Sequence, residues 1–307
     1  MNERGLRLVQ RAAVLRKVRA FFEERRFLEV ETPTLLPSPG LDVHLAAFEV
    51  DTARGQRFLS TSPEYQMKRL LSYGHARIYQ IAKAYRRDEL GERHSPEFTM
   101  LEFYRCPGSV DEVMKDTEEL VAAVSSGSVT LGDRRIDTSV PFARMTVCEA
   151  FQAFAGVERR ETLAWAETDE DRFFDHLVNT VEPALARLGH AVFLTEYPTS
   201  QASLARKKPG DTEVAERFEL YVAGMELCNG FGELTDPMEQ RARFAKDQAT
   251  RRARGLPVYP VDERFLLALE SGLPDCAGNA VGLDRLVALS CGTMAIGQVM
   301  AFGDDEL

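Results

Sequence analysis

The sequence predicts an α+β fold in which amphipathic helices pack against an antiparallel sheet. Residues 79–105 contain two runs of alternating side chains separated by a charged loop, which is typical of a β-hairpin. Residues 218–228 contain a second, shorter pair of strand-like runs. Residues 6–25 and 110–126 instead repeat apolar side chains at helical spacing. Hairpins interspersed with such helices indicate the α+β class.

The composition limits the class of protein. Of the 307 residues, 44% are hydrophobic and 28% are charged, which is enough for one large core, so we expect a single domain over residues 1–307. The net charge of −10 argues against a broad nucleic-acid surface. No apolar run approaches the ~18 residues that cross a membrane. The five cysteines are scattered without a C-x-x-C pair, which favours free thiols in a reducing cytoplasm.

The chain begins with a helix and a short strand. Residues 6–25 place apolar side chains on one stripe and charged side chains on the other. Phe27, Leu28 and Val30 then start a strand, which Pro33 ends because proline cannot donate to a central ladder.

A second helix is expected to start at residues 62–64. Ser62 supplies a hydroxyl cap, Pro63 suits the first helical position, and Glu64 lies in the first turn, where the helix dipole favours an anion. These preferences explain the three residues as a helix start without any further role.

The hairpin has runs at residues 79–86 and 98–104 and a loop at residues 87–97. One face is expected to combine small residues with a cation, a ring, a carboxylate and a phenol: Ala82, Ala84, Arg86, Phe98, Glu102 and Tyr104. Basic side chains cluster near the two ends of the loop, as they would in a site for a polyanion: Arg86, Arg87, Arg93 and His94. A solvated face without a role is the common alternative. The alanines favour a binding floor, because alanine is a poor strand former.

The second hairpin predicts a pair of carboxylates. A two-residue turn at residues 223–224 would pair Tyr221 with Glu226, which makes Glu219 and Glu226 diagonal neighbours on one face. Like charges this close repel and call for a cation such as Mg²⁺, although two solvated carboxylates remain the alternative. Asn229 and Gly230 are then expected to turn the chain, with Glu233 following as a further acid.

The last part of the chain carries a basic helix and a buried one. Residues 240–255 are expected to be a solvated helix, whose arginines could also reach phosphate or an acidic partner. Gly282 allows a close backbone approach, and the apolar spacing after it indicates a buried helix that carries Arg285.

These stretches resemble the three motifs of class II aminoacyl-tRNA synthetases in their lysyl form. YRRDE…RHSPEFTMLEFY, within residues 85–104, is similar to motif 2. The first helix with its proline-ended strand resembles motif 1, and GLDRL at residues 282–286 resembles motif 3. The motifs stand in the family's order and span nearly the whole chain. The resemblance implies an antiparallel six- or seven-stranded sheet flanked by helices, ATP bent across that sheet, and a homodimer formed through motif 1.

The resemblance also implies a role for each matching residue. Arg86 would meet the substrate carboxylate and the α-phosphate, and Arg285 would stack on the ATP base opposite Phe98, which makes both arginines candidate catalytic residues. Arg93 and His94 would meet the outer phosphates, while Glu219 and Glu226 would hold Mg²⁺. The full candidate ATP set is Arg86, Arg87, Asp88, Arg93, His94, Ser95, Phe98, Glu226, Leu227, Gly282 and Arg285. The candidate substrate set is Ser62, Pro63, Glu64, Arg86, Glu102, Tyr104, Asn229, Glu233 and Ala280.

Three positions depart from the lysyl pattern. Asp88 stands where the family usually has glutamate, and Ser95 stands where it has asparagine, yet the charge pattern stays intact. Ala280 replaces the first glycine of the motif 3 G-x-G. A methyl group there changes the shape of a pocket wall and is suited to distinguishing an α-amino from a β-amino group.

The position of motif 1 narrows the resemblance. It begins almost at the start of the chain, so we expect no anticodon-binding OB domain before it. That indicates the family of short lysyl-synthetase paralogues that join (R)-β-lysine to a lysine of elongation factor P. The implied activity is an ATP-dependent ligase with β-lysine and elongation factor P as partners and no stable tRNA binding. Two alternatives are a minimal enzyme that charges tRNA or another carrier with L-lysine, and a non-catalytic nucleotide or amino-acid sensor.

Overall fold

The computed structural model describes residues 2–303 and 306–307, and within them ten α-helices and fifteen strands form. The helices are α1 (Glu3–Glu24), α2 (Glu64–Leu71), α3 (Val110–Ser125), α4 (Val147–Ala155), α5 (Arg159–Thr168), α6 (Glu170–His176), α7 (Glu182–Ala186), α8 (Pro237–Ala253), α9 (Glu263–Glu270) and α10 (Leu283–Ser290). The strands are β1 (Leu28–Glu29), β2 (Leu35–Leu36), β3 (Glu49–Thr52), β4 (Gly55–Leu59), β5 (Arg77–Tyr85), β6 (Glu97–Arg105), β7 (Ser128–Leu131), β8 (Arg134–Asp137), β9 (Ala143–Thr146), β10 (Val192–Thr195), β11 (Lys207–Lys208), β12 (Asp211–Ala215), β13 (Arg217–Val222), β14 (Met225–Gly232) and β15 (Ala277–Gly282).

Eight strands form the central sheet, in the order β1-β5-β6-β15-β14-β13-β10-β9. The six inner strands pair with one another in antiparallel fashion. The predicted α+β class, with an antiparallel sheet flanked by helices, is confirmed. The sheet is wider than the six or seven strands expected, because β1 and β9 add parallel edge strands. Parallel pairing leaves no hairpin signal in the sequence, so the pairing of these short edges was not predictable from it, although the strand that starts at residues 27–30 was predicted.

The two faces of the sheet have different partners. On one face α1, α3 and α10 build the largest core, in which the Phe22 ring stacks on Tyr79 with centroids 4.6 Å apart. Tyr79 and Phe103 point into this core, so the alternate residues of β5 and β6 face the opposite side. On that opposite side α2 and α9 form a second core, with the ring of Tyr65 stacked on Phe265 at 4.6 Å. This second face carries the site described below.

The central hairpin has the predicted face. Strands β5 and β6 pair so that Ala82 lies opposite Met100 and Ala84 lies opposite Phe98. Arg86 follows the last residue of β5, and its backbone N–H donates to the Pro96 carbonyl oxygen at 2.9 Å. The face predicted from alternation is therefore confirmed.

The second hairpin is confirmed in its turn and corrected farther along. Tyr221 pairs with Glu226 as predicted, and Ala223 and Gly224 both have positive φ, as a tight two-residue turn requires. The predicted turn at Asn229 and Gly230 is wrong, because both residues lie inside β14. A Cβ on Gly230 would lie 2.2 Å from the Phe218 ring, so this glycine serves a close approach and not a turn.

Smaller features agree with the sequence. Helix α2 begins at Glu64, one residue later than expected, and the Ser62 hydroxyl accepts from the Glu64 N–H at 3.1 Å. All five cysteines are free thiols, as their spacing predicted. None of the helices in the described residues is long and apolar enough to cross a membrane.

Candidate active site

One row of facing residues crosses five strands on the open face of the sheet. Gln80 of β5 pairs with Glu102 of β6, which pairs with Ala280 of β15. Ala280 pairs in turn with Asn229 of β14, and Asn229 pairs with Glu219 of β13. Directly paired residues point to the same face of a sheet. The register therefore gathers these residues on one floor.

An acidic pocket lies at the β5–β6 end of this floor. The Ser62 hydroxyl donates to one oxygen of Glu102, and the Tyr104 hydroxyl donates to the other at 3.0 Å. Lys68, from α2, donates to Glu64 at 2.6 Å and forms a second ion pair with Glu233. We call Glu64, Glu102, Tyr104, Glu233 and Lys68 the amine pocket. Its three carboxylates and its phenol could accept hydrogen bonds from ammonium groups.

Burial perturbs the ionisation of the amine pocket. Burial, and then the negative charge of Glu64, raises the pKa of Glu102 to about 8. Burial also raises the pKa of Glu233 to about 8, against the opposing effect of Lys68. For Lys68 itself burial lowers the pKa, but Glu233 and Glu64 outweigh this and raise it above its ordinary value. A ligand that brings positive charge would stabilise the ionised form of these buried carboxyl groups.

The glycine in β15 makes room for the phenol. Gly278 pairs with Tyr104 across the sheet, and a Cβ at this position would lie 2.2 Å from the tyrosine ring. The same Cβ would lie 2.9 Å from a carboxylate oxygen of Glu233. Only a residue without a side chain lets the phenol and this carboxylate approach each other here.

A cluster of cationic side chains lies where the hairpin loop meets α10 and the β13–β14 turn. Arg285 donates to the Glu226 carbonyl oxygen and to the His94 imidazole, both at 2.8 Å. Arg93 donates to the Gly224 carbonyl oxygen at 3.0 Å. Burial, and then the charge of Arg285, lowers the pKa of His94, which favours a neutral ring that accepts from the guanidinium. These three motif residues thus meet at one end of the floor.

Arg86 lies over the ring of Phe98. Its guanidinium carbon is 5.2 Å from the ring centroid, and its side chain forms an ion pair with Glu89 at 2.9 Å. Asp88, the residue at the glutamate position of the family, instead pairs with Arg87 at 3.0 Å on the exposed surface of the loop. Glu89 is therefore the carboxylate that forms the ion pair with Arg86, and the sequence analysis did not identify it as a site residue.

A β-bulge places the two predicted metal ligands. The register between β13 and β14 shifts after Leu220, so Leu227 and Cys228 both pack into the core. Glu226 and Asn229 then point to the same face as Glu219, which regular alternation would not allow. The predicted proximity of Glu219 and Glu226 is present, while its geometry comes from a bulge that the sequence pattern did not predict.

The donor set fits Mg²⁺ shared with phosphate. Glu219 is buried and accepts from Arg217 at 2.7 Å, from Tyr221 at 2.8 Å and from Tyr197. Glu226 keeps 39% of its side chain exposed. Partial desolvation, and then the charge of Glu219, raises the pKa of Glu226. Within residues 2–303 and 306–307, no group of three or more side chains could hold a metal alone. Oxygen atoms of a bound phosphate would have to complete the site.

The remaining candidates lie around these groups. Ser95 and Leu227 are buried, Gly282 is the last residue of β15, and Pro63 immediately precedes α2. Sequence analysis missed several residues that contact the candidates: Lys68, Gln80, Glu89, Tyr197, Arg217 and Tyr221. For Lys68 a signal existed, because it stands four residues after Glu64 on one helix. Its burial could not be foreseen from that spacing.

Comparison with known proteins agrees with this geometry. Residues 2–306 match the model of the class II tRNA synthetases of the D, K and N type. The chain belongs to this family. Within it the chain belongs with the elongation factor P–(R)-β-lysine ligases. A protein of that name from Klebsiella pneumoniae strain 342 is 41% identical over 97% of this chain and 95% of its own length. One from Vibrio cholerae is 41% identical over 96% of this chain and 94% of its own length.

Membership of the ligase family identifies the motifs on the structure. The hairpin β5–β6 is motif 2, and the end of β15 with α10 is motif 3. The ligases of this family use ATP.

Proposed function

We propose that this chain activates (R)-β-lysine with ATP and transfers it to a lysine of elongation factor P. The observation that carries the proposal is an amine pocket and a cationic cluster on one face of the same sheet. Relatives with 40% identity over 97% of the chain have the ligase name, which supports the same substrates here.

The substrate is proposed to lie along the row of residues that crosses the sheet. Its ammonium groups contact Glu64, Glu102 and Glu233, and its carboxylate points toward Arg86. A desolvated ammonium needs paired acceptors, which the amine pocket provides. Asn229 and Ala280 line the floor between the two ends of the substrate.

Activation is a displacement at phosphorus. A carboxylate oxygen of β-lysine attacks the α-phosphorus of ATP, and the bond from that phosphorus to pyrophosphate breaks. No general base is needed, because the nucleophile is already an anion. Arg86 positions the carboxylate and the α-phosphate, Arg285 holds the base, and Arg93 and His94 contact the outer phosphates. Mg²⁺ held by Glu219 and Glu226 would neutralise phosphate charge.

Transfer completes the reaction. The neutral amine of a lysine of elongation factor P attacks the acyl carbonyl, forms an amide and releases AMP, and the amine proton passes to solvent. We further propose a homodimer formed through α1 and β1, the elements that correspond to motif 1. No stable tRNA complex is expected, given the net charge of −10.

A second candidate function is the activation of L-lysine for tRNA or another carrier. The family model that matches residues 2–306 includes lysyl-type synthetases, which favours it. Formation of lysyl-tRNA at a rate comparable to modification of elongation factor P would support this second function.

Intact mass measurement of elongation factor P tests the proposal. Incubation with this chain, ATP, Mg²⁺ and (R)-β-lysine should add the mass of one lysyl residue, and fragmentation should locate it on a lysine side chain. Arg285→Ala serves as the matched control, and it should lower modification by about 100-fold or more because it removes the side chain that positions ATP for the reaction. An unmodified acceptor with the wild-type chain would contradict the proposal.

A further inference from the structure

Lys68 is a fully buried cation between two carboxylates. Its side chain is 0% exposed, and its ammonium lies 2.6 Å from Glu64 and in contact with Glu233. The ammonium is also 5.9 Å from the centre of the Phe265 ring. A charge taken out of water at this depth is tolerated only when partners compensate it. Lys68 therefore fixes where both carboxylates point.

The charge of the amine pocket matches a diamino acid only when Lys68 is counted. Three carboxylates and one ammonium leave two net negative charges when all four groups are ionised. A diamino acid brings two ammonium groups, which would leave the occupied pocket neutral. Without Lys68 the same pocket would hold one surplus buried negative charge, which is costly in a site closed to water.

We propose that Lys68 is a positioning residue that orients Glu64 and Glu233 and sets the charge of the amine pocket for a substrate with two ammonium groups. This rests on the proposed function, because it takes the pocket to hold the substrate amines. Lys68 does not contact the reacting atoms. It acts through the carboxylates that bind the substrate.

The ionisation of the pocket gives this role a pH signature. The titratable and charged groups that face the pocket from α2, β6, β15 and the loops beside them are Glu64, Lys68, Glu102, Tyr104, Arg206, Glu233 and Cys276. Lys68 lowers the pKa of Glu102 and of Glu233, which both stand at about 8. Ammonium groups bind the ionised carboxylates, so the KM for the amino acid should fall as pH rises toward about 8. In a variant without Lys68, this fall in KM should occur at higher pH.

Kinetics of Lys68→Met test the proposal, with Lys115→Met as control. Lys115 also has a helical glutamate four residues away, but its side chain is 69% exposed and outside the site. In ATP–pyrophosphate exchange, Lys68→Met should raise the KM for (R)-β-lysine about ten-fold or more near neutral pH. The KM for ATP should change by less than about two-fold, and the pH profile should move up by about one unit. Superimposable pH profiles with only a lower melting temperature would overturn the proposal.

A second measurement needs no substrate. In Lys68→Met the pKa of Glu233 in the folded state lies further above its value in the unfolded chain. Glu233 then contributes fully to the free energy of unfolding at pH values below its pKa in the unfolded chain. This contribution is lost as pH rises through the pKa of Glu233 in the folded state. In the wild type, Lys68 stays charged throughout this range, because the range lies below the unfolded lysine pKa of about 10.4.

The loss of melting temperature in Lys68→Met should therefore be larger at about pH 8.5 than at about pH 5.5. An equal loss at both pH values would overturn the proposal. If the wild type showed no exchange with any diamino acid, the proposed function would fail, while this measurement would still decide the role of Lys68.

Discussion

At the scale of single residues, Ala280 lies in the middle of the row that crosses the sheet. Glu102 is its partner on one side and Asn229 on the other. Its methyl group points to the face on which the substrate is proposed to lie. One carbon atom at a pocket wall changes the free energy of binding by about 1–3 kcal/mol. The methyl group of Ala280 should therefore affect which position of the amino group on the substrate is accepted.

Ala280→Gly should shift substrate preference toward L-α-lysine. Removal of the methyl group admits the differently placed α-amino group, so the ratio of kcat/KM for (R)-β-lysine over L-α-lysine should fall about ten-fold. Exchange kinetics with both amino acids measure this ratio. Ala84→Gly is the matched control, because Ala84 is buried on the same face but lies opposite Phe98. A ratio that moves equally in both variants, or in neither, would leave Ala280 without a role in selectivity.

Residue identities in the site were predictable largely through the resemblance. Glu64, Glu102, Tyr104 and Glu233 were named together from the sequence, and the structure brings them into one pocket. Lys68 was missed, because a glutamate–lysine pair four residues apart on a helix is ordinarily a surface pair. Its burial depends on packing between α2 and the rest of the fold, which spacing along the chain does not contain.

At the scale of elements, the bulge in β14 and the glycine at position 278 of β15 shape the floor of the site. The bulge in β14 turns Glu226 and Asn229 to one face, and Gly278 in β15 admits the Tyr104 ring. Both features arise from contacts between strands. Asn-Gly is a strong turn signal in a sequence, yet Asn229 and Gly230 continue a strand because the Phe218 ring occupies the space beside the glycine.

Gly278→Ala should impair binding of the amino acid more than binding of ATP. The added methyl group would lie 2.2 Å from the Tyr104 ring and 2.9 Å from Glu233, so the phenol and the carboxylate must both move. Overpacking of this kind costs about 1–3 kcal/mol, which corresponds to an increase of about 5- to 150-fold in KM for (R)-β-lysine.

Gly189→Ala is the control for this substitution, because a Cβ at Gly189 meets no atom within 4 Å. Both variants should be compared by exchange kinetics and by thermal unfolding. An unchanged KM for (R)-β-lysine in Gly278→Ala would show that the Tyr104 ring need not stay where the structure has it.

At the scale of the whole molecule, the acidic side chains and the cationic side chains of the site lie at different ends of the sheet face. The amine pocket lies toward β5 and β6, and the cationic cluster lies where the hairpin loop, α10 and the β13–β14 turn meet. A substrate with ammonium groups at one end and a carboxylate beside ATP at the other fits this division. The net charge of −10 therefore coexists with a local cluster of cationic side chains.

The overall architecture was predictable in its class and central hairpins. Alternation predicted which face of β5 and β6 each side chain occupies, because a slip of one residue would expose the side chains of the core. The strand β1 was predicted, but the parallel pairing of β1 and β9 at the sheet edges was not predictable, since their partners are distant in sequence and the two strands are only two and four residues long. The homodimer and the cytoplasmic location stay predictions.

The most direct test of the proposed activity is ATP–pyrophosphate exchange with purified protein, Mg²⁺, and (R)-β-lysine, (S)-β-lysine and L-α-lysine in parallel. We expect exchange with a diamino acid, because the charge of the amine pocket suits two ammonium groups, and we expect it to be fastest with (R)-β-lysine, because the methyl group of Ala280 favours a β-amino group. Exchange led by L-α-lysine, or no exchange with any of the three amino acids, would contradict the proposed function.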